Sequence, residues 1–273
     1  MTFRHGKHDV KIGGPQTMQD RKDYTIAAVD RALLVLEALA EQPRQGVTAL
    51  ARRLGLTKTI VFRLLATLEA RGFVVREGES AVWSLGHRIG VLGERAGQQN
   101  MLLAAARPVM ERLREETAEN VNLIVREGQQ SLVLATLAGR HAIRIFALAG
   151  RYGPLHAGGG SMVMLAHAPH SVRNAVVSGP LERFTADTIT EPAALLSRIE
   201  AIRAQDWNIA VNDLDEGAFS VAAPIRDSHR EVIAAISVAG AVVRLDDDRR
   251  ARYLALVRDA AAEISAKLGI GSA

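Results

Sequence analysis

Nine side chains between Arg52 and Arg76 have the chemistry of nucleic-acid recognition. Arg52, Arg53, Lys58, Arg63, Arg71 and Arg76 supply positive charge, Thr57 and Thr59 supply hydroxyls, and Phe62 supplies an apolar ring. Cationic heads neutralise phosphates, and arginine also reads a base edge through paired N–H donors. From Arg44 to Arg76 there are seven basic residues against Glu69 alone. Residues 1–95 carry 15 basic and 10 acidic side chains, whereas residues 96–273 carry 19 and 20. The basic excess is therefore confined to the N-terminal third. A charge run alone fits a solvated helical face as well as a phosphate-binding one; the spacing of the residues between these charges selects the second.

A second candidate is Gly158–Gly160, which runs directly into an apolar segment starting at Ser161. A glycine turn opening a helix lets backbone N–H groups approach an anion, with the positive end of the helix dipole behind them. Ser161, His156 and Asp213 have the residue types of a nucleophile triad. Yet there is no Gly-x-Ser-x-Gly elbow, no Walker loop and no His-Glu-x-x-His, so no catalytic residue is expected. The chain has no cysteine, and His5 and His8 are too few for a metal site. No metal or cofactor is expected. His156 reads as structural; Arg144 and Arg151 could pair with a carboxylate effector, but arginines on loops read first as solvated.

The elements that must position the cations follow from apolar spacing. In VTALARRLGLTKTIVFRLLATL, Val47 to Leu68, Ala51 is small where two helices would cross, Gly55 stands at a turn, and Val61 falls where a side chain packs back on the preceding helix. Leu50, Leu54, Leu56 and Leu64 complete the apolar face. This is the spacing of a helix-turn-helix. An earlier helix is predicted from near Thr25 or Ala27 to about Ala40 on Val29, Leu33, Leu36 and Leu39 or Ala40, with Thr48 capping the second helix and Thr57 the third. The third runs from Lys58 to about Ala70, with Ile60, Val61, Leu64, Leu65 and Leu68 inward. Phe73, Val75, Val82 and Leu85 then form a hairpin turning at Gly78, a wing on which Arg76 could contact phosphate, while Glu77 and Glu79 make its tip less basic and favour a mainly structural wing.

Beyond His87 a helix is predicted to near Ala118, interrupted around Gln98–Asn100. Strands follow at Leu123–Val125, Leu132–Leu137 and Ile143–Phe146, then helices up to Gln205. Later strands fall at Ile209–Val211, Phe219–Pro224 and Val232–Val238, before a terminal helix capped near Asp246–Asp248. Consecutive strands with the helices grouped between them give an α+β domain rather than a doubly wound parallel sheet. At 273 residues and 48% hydrophobic content, two cores of unequal size are expected. The organisation is a disordered arm over 1–23, a winged helix-turn-helix over 24–86, a connector helix over 87–100 and an α+β domain over 101–273. Residues 1–23 lack the apolar core of a secretory signal, and no run reaches membrane-span length. A soluble, cytoplasmic protein is the expectation.

The segments TIAAVDRALLVLEALA, LARRLGLTKTIVFRLLATLEARGFV, the wing ending in SLG, RYGPLHAGGGSMVMLAH and FSVAAPIRDSHREVIAAISVAG occur in that order. Together they resemble the IclR-type transcriptional regulators, named for the isocitrate lyase regulator, over about residues 24–268. The resemblance implies a GAF-like effector-binding second domain. In such proteins the loop at the glycines, the strand ahead of Ala-Ala-Pro and a strand ending in Ser-x-Ser-Gly line a pocket for small metabolites, often carboxylates. On this chain those positions are Gly159, Gly160, Ser220 and Ser237, with Asp213 as an added polar group. Ser220 stands where many members have cysteine and Ala239 where a second serine is common, so the expected effector is larger or less polar than a two- or three-carbon acid.

The expected function is a sequence-specific regulator of transcription that reads double-stranded DNA at a palindromic operator, as a homodimer or a dimer of dimers. A small-molecule effector would change the orientation of the winged modules through the connector. The competing readings are an architectural or interaction protein with a non-sensing dimerisation domain, and, more remotely, an enzyme.

Overall fold

The computed structural model describes residues 26–78, 81–141 and 149–270. The sequence-predicted arm over 1–23, the strand at Ile143–Phe146, Glu79 and Arg144 lie outside the described residues. The chain divides into two compact units between Ala96 and Gly97.

In the first unit α1 (Ala27–Glu41), β1 (Gln45–Gly46), α2 (Val47–Leu54) and α3 (Lys58–Ala70) precede the hairpin strands β2 (Val74–Glu77) and β3 (Val82–Leu85). Gly55 takes φ +64° just past α2, and the Leu56 N–H donates to Ala51 O at 2.9 Å. A side chain in that left-handed conformation would be strained, so the turn between α2 and α3 requires this glycine. Thr57 Oγ1 accepts from Ile60 N at 3.3 Å and caps α3. Val35, Leu39, Leu50, Val61, Leu65, Val74 and Trp83 close one core.

Three expectations for this unit are corrected. On α1 the expected Leu39 is buried and Leu36 packs against the core, but Val29 and Leu33 lie more than half exposed, and the core takes Val35 and Ala38 in their place. Thr48 does not cap α2. The cap position is Gly46, two residues earlier, because Gln45 and Gly46 pair with Trp83 and Val82 as a third strand of the wing sheet. In the hairpin Val74 is buried and Val75 faces out, since the two-residue period lets only one of two adjacent valines reach the core.

Two helices follow the wing along the chain: α4 (His87–Gln99) and α5 (Met101–Thr117), with Asn100 Oδ1 accepting from Leu103 N as a fresh cap. The second unit has the strands β4 (Asn120–Glu127), β5 (Gln130–Leu137) and β6 (Tyr152–Pro154), and the helices α6 (Gly159–Ala166), α7 (His170–Val177) and α8 (Pro192–Gln205). The strands β7 (Asn208–Val211), β8 (Ala218–Arg226) and β9 (Val232–Ala241) and the long α9 (Asp247–Ile270) complete it.

The six strands form one antiparallel sheet in the order β6-β5-β4-β9-β8-β7. Strand alternation sends Val121, Leu123, Val221 and Ile236 into a core with α5 and α9, and Ile124, Ala222 and Ala235 into another with α6 to α8. Glu119, 2% exposed, accepts two guanidinium N–H bonds from Arg244 at 2.6 Å each, tying the start of β4 to the chain after β9. Among the described residues no helix is long and apolar enough to cross a membrane.

Candidate functional site

The candidate surface for nucleic acid is the outer face of α3. Thr57, Lys58, Thr59, Phe62 and Arg63 are all exposed, Phe62 by 54%. The cause is the helical period: Val61, Leu64, Leu65 and Leu68 pack into the core of this unit, with Ile60 half-buried, and leave these residues outside. A large exposed ring beside an exposed guanidinium and two hydroxyls on a helix N-terminal half suits insertion into a major groove. Arg52 on α2, Arg71 after α3 and Arg76 on β2 are likewise exposed, where they can meet phosphate.

Arg53 has a different task. Its guanidinium donates to Ala38 O at 3.2 Å and pairs with Glu41, so it clamps the end of α1 onto α2. Glu77 pairs with Arg44 at 2.6 Å and accepts from Ser84 Oγ at 2.6 Å, which neutralises one acid of the wing.

In the second unit a cavity of about 320 Å³ opens between the sheet and the N-terminus of α6. Gly159, Gly160, Asp213, Ser220 and Ser237 all line it, together with Asn122, Ser131, Ser161, Arg151 and apolar Ile124, Val133, Phe184 and Leu214. The two glycines belong to packing. A Cβ on Gly159 would lie 2.5 Å from Ser220 Oγ, 2.8 Å from its Cβ and 2.9 Å from its carbonyl oxygen; one on Gly160 would lie 2.6 Å from Ile124 Cδ1. They let α6 sit directly on β8 and β4.

The expected role of the glycine amides as an open anion cradle needs correction at Gly158. Its N–H already donates to Asp213 Oδ2 at 2.9 Å, so the protein supplies its own carboxylate at the start of α6. Burial raises the Asp213 pKa above the ordinary carboxylate value, against the lowering effect of N–H bonds, that from Gly158 foremost. The Asp213 loop is fixed from behind. Buried Thr185 donates from Oγ1 to Asn212 O, and buried Thr188 donates to Asp213 O at 2.6 Å.

The triad types do not assemble. Ser161 Oγ donates to Ser131 Oγ at 2.9 Å, buried His156 places Nε2 2.9 Å from Glu182 O, and Asp213 faces Gly158. Among the described residues no group of three or more His, Cys, Asp or Glu could hold a metal.

Asn122 is a lining residue that sequence reasoning missed. Its signal was an asparagine at the centre of the apolar run NVNLIV, an unfavourable strand residue that a purely structural strand would avoid.

Comparison with known proteins agrees with both units. Residues 28–78 match the IclR helix-turn-helix domain, and residues 95–266 match the C-terminal domain of bacterial transcriptional regulators of the IclR type. The chain belongs to the IclR family of transcriptional regulators. The HTH-type transcriptional regulator BhcR of Paracoccus denitrificans (strain Pd 1222) is 34% identical over 249 residues, covering 91% of this chain and 88% of that protein. An IclR-type regulator from Alicyclobacillus acidocaldarius shares the fold with a TM-score of 0.84 at 24% identity, over 90% of this chain and all of its own. An IclR homolog from Microbacterium hydrocarbonoxydans, solved in complex with 4-hydroxybenzoate, superposes with a TM-score of 0.80 at 27% identity, over 88% of this chain and 98% of its own. The α+β reading, a winged helix-turn-helix followed by an antiparallel-sheet domain, is that of IclR structures.

Proposed function

We propose that this IclR-family chain is an effector-responsive regulator that reads a palindromic operator as a homodimer or dimer of dimers. Its outer α3 face contacts DNA, its sheet domain binds a small organic acid, and it carries out no catalysis. The observation that carries the sensing part is the cavity in which all five expected effector residues meet, with Ser220 and Ser237 offering hydroxyls that no protein group takes up among the described residues. A hydroxyl that faces the cavity without a protein partner is open to one from outside the protein; an effector would supply it. The 4-hydroxybenzoate bound by the Microbacterium homolog supports a carboxylate-bearing ligand and is the first compound to test. The separate engagements of Ser161, His156 and Asp213 favour binding over reaction.

A ligand acts on the operator only by preferring one arrangement of the DNA-reading modules over another. The experiment is a thermal-shift screen of fractionated metabolites and 4-hydroxybenzoate, followed by operator titration with each hit. A ligand at 100 times its dissociation constant should add about 2.7 kcal/mol and change operator affinity. Shifts with no effect on the operator would favour a binding protein without coupling, and no shift with any fraction would favour a purely architectural second domain.

A further inference from the structure

Two sides of the cavity differ in hydrogen-bond polarity. Asn122 on β4 is 5% exposed, and its Oδ1 is taken by Thr136 Oγ1 at 3.0 Å. With Thr136 donating to Oδ1, the Nδ2 donor is turned away from Thr136 and has no protein acceptor among the described residues. Ser237 sits opposite Asn122 in the β4–β9 pairing, is 1% exposed, and also leaves its hydroxyl without a protein partner among the described residues. Both side chains line the cavity. An amide donor and a hydroxyl side by side on the cavity wall suit an oxygen acceptor that carries negative charge.

Asp213 bounds the other side. It lies just past the end of β7, and the sheet order puts β9 and β8 between β4 and β7. Three strand spacings separate the two backbones by roughly 14 Å, less the inward reach of both side chains. An ionised Asp213 accepts hydrogen bonds and repels a second carboxylate.

We propose that the cavity is bipolar, taking the carboxylate of a small acid at Asn122 and Ser237 and a terminal hydroxyl or amino donor of the same molecule at Asp213. Asn122 is then a specificity-determining residue. The effector class is an acid with its donor at the far end of the molecule, not on the carbon next to the carboxylate. At about 320 Å³ the cavity lies at the small end of ligand sites, which restricts the acid to roughly one ring and a short arm. This inference rests on the reading of the cavity as an effector site.

The test is isothermal titration of the full chain with three acids of nearly equal size: 4-hydroxyphenylacetate, mandelate and phenylacetate. The first should bind at least about 10-fold more tightly than the other two, the loss expected when a charged group keeps its desolvation but misses its partner. Ser237→Ala should weaken 4-hydroxyphenylacetate by about 10-fold or more without lowering the melting temperature, because the hydroxyl it removes bonds no protein group among the described residues. Asn122→Asp keeps the acceptor for Thr136, removes the donor, and should weaken it further. Should Asn122→Asp fail to fold, Ser237→Ala decides alone.

Equal binding of the three acids, or undiminished binding by Ser237→Ala, overturns the bipolar assignment and leaves the cavity reading in place. If none of the acids binds but neutral sugars or amines do, the bipolar assignment likewise falls alone. If no compound of any class binds, both fall.

Discussion

Gly159→Ala tests the close seat of α6 on the sheet. The added Cβ would stand 2.5 Å from Ser220 Oγ, 2.8 Å from Ser220 Cβ and 2.9 Å from its carbonyl oxygen. Favourable contacts between carbon atoms lie near 3.5–4.0 Å. The hydroxyl can rotate away, but the other two atoms belong to a strand paired on both sides, at Ala210 and at Ala239. Relief therefore has to come from α6 retreating by roughly 0.7 Å or more, an inward overpacking that costs about 1–3 kcal/mol. Alanine regains at most about 1 kcal/mol of helix propensity.

With full regain of that propensity the expected net loss is up to about 2 kcal/mol, a fall in melting temperature of up to roughly 8 °C for a domain of this size. Thermal unfolding followed by circular dichroism reads it. Gly160→Ala is the internal control, because its nearest obstacle is the movable end of Ile124, and it should cost less. A Gly159→Ala protein more stable than the parent, or a larger loss from Gly160→Ala, would refute the packing argument.

Three further predictions address separate links. Because burial raises the folded-state pKa of Asp213, the folded chain holds that proton more tightly than the unfolded one. Its contribution to stability is fully present below the ordinary carboxylate value and is lost as pH rises through the raised one. Asp213→Asn should flatten the stability profile in that window, and identical slopes in denaturant titrations of the two proteins would contradict this. Arg53→Ala should lower the stability of the winged unit by about 1 kcal/mol, the worth of a partly buried clamp, and leave the salt dependence of operator binding unchanged; a shallower salt slope would return Arg53 to the DNA surface. Arg63→Ala should weaken operator binding by about 1–3 kcal/mol if the side chain reads a base, or reduce the salt slope by about one if it meets phosphate; anisotropy titrations across salt separate the two, and no change in either would remove Arg63 from the interface.

The helix-turn-helix was legible because its core is local. Ala51, Gly55, Thr57 and Val61 each answer to a nearby contact or cap, and spacing alone locates them. The exposed face of α3 followed as the remainder. On α1 the same logic fell short in part, since Leu39 was placed correctly but only tertiary packing selects Val35 and Ala38 over Val29 and Leu33.

The cavity was less legible for a related reason. Its walls come from β4, α6, the loop after β7, β8 and β9, so no window of sequence holds them together. Gly159, Gly160, Ser220 and Ser237 are named through family resemblance, whereas Asn122 breaks the strand pattern without announcing which wall it joins. That Asp213 occupies the Gly158 amide could not be read from spacing, because 55 residues separate the two. Capping rules such as the one that locates Thr57 reach only a few residues along the chain; the contact with Gly158 arises only when the chain returns through β7.

If the outer face of α3 reads a specific operator, selection of preferred sites from a pool of random DNA duplexes at near-physiological salt will reveal it. The parent and Arg63→Ala are run in parallel. The parent should enrich a palindrome with half-sites about one helical turn or a small multiple apart, and the variant should show weakened or relaxed enrichment. A folded parent that enriches no sequence, with or without added metabolites, would contradict operator reading by α3.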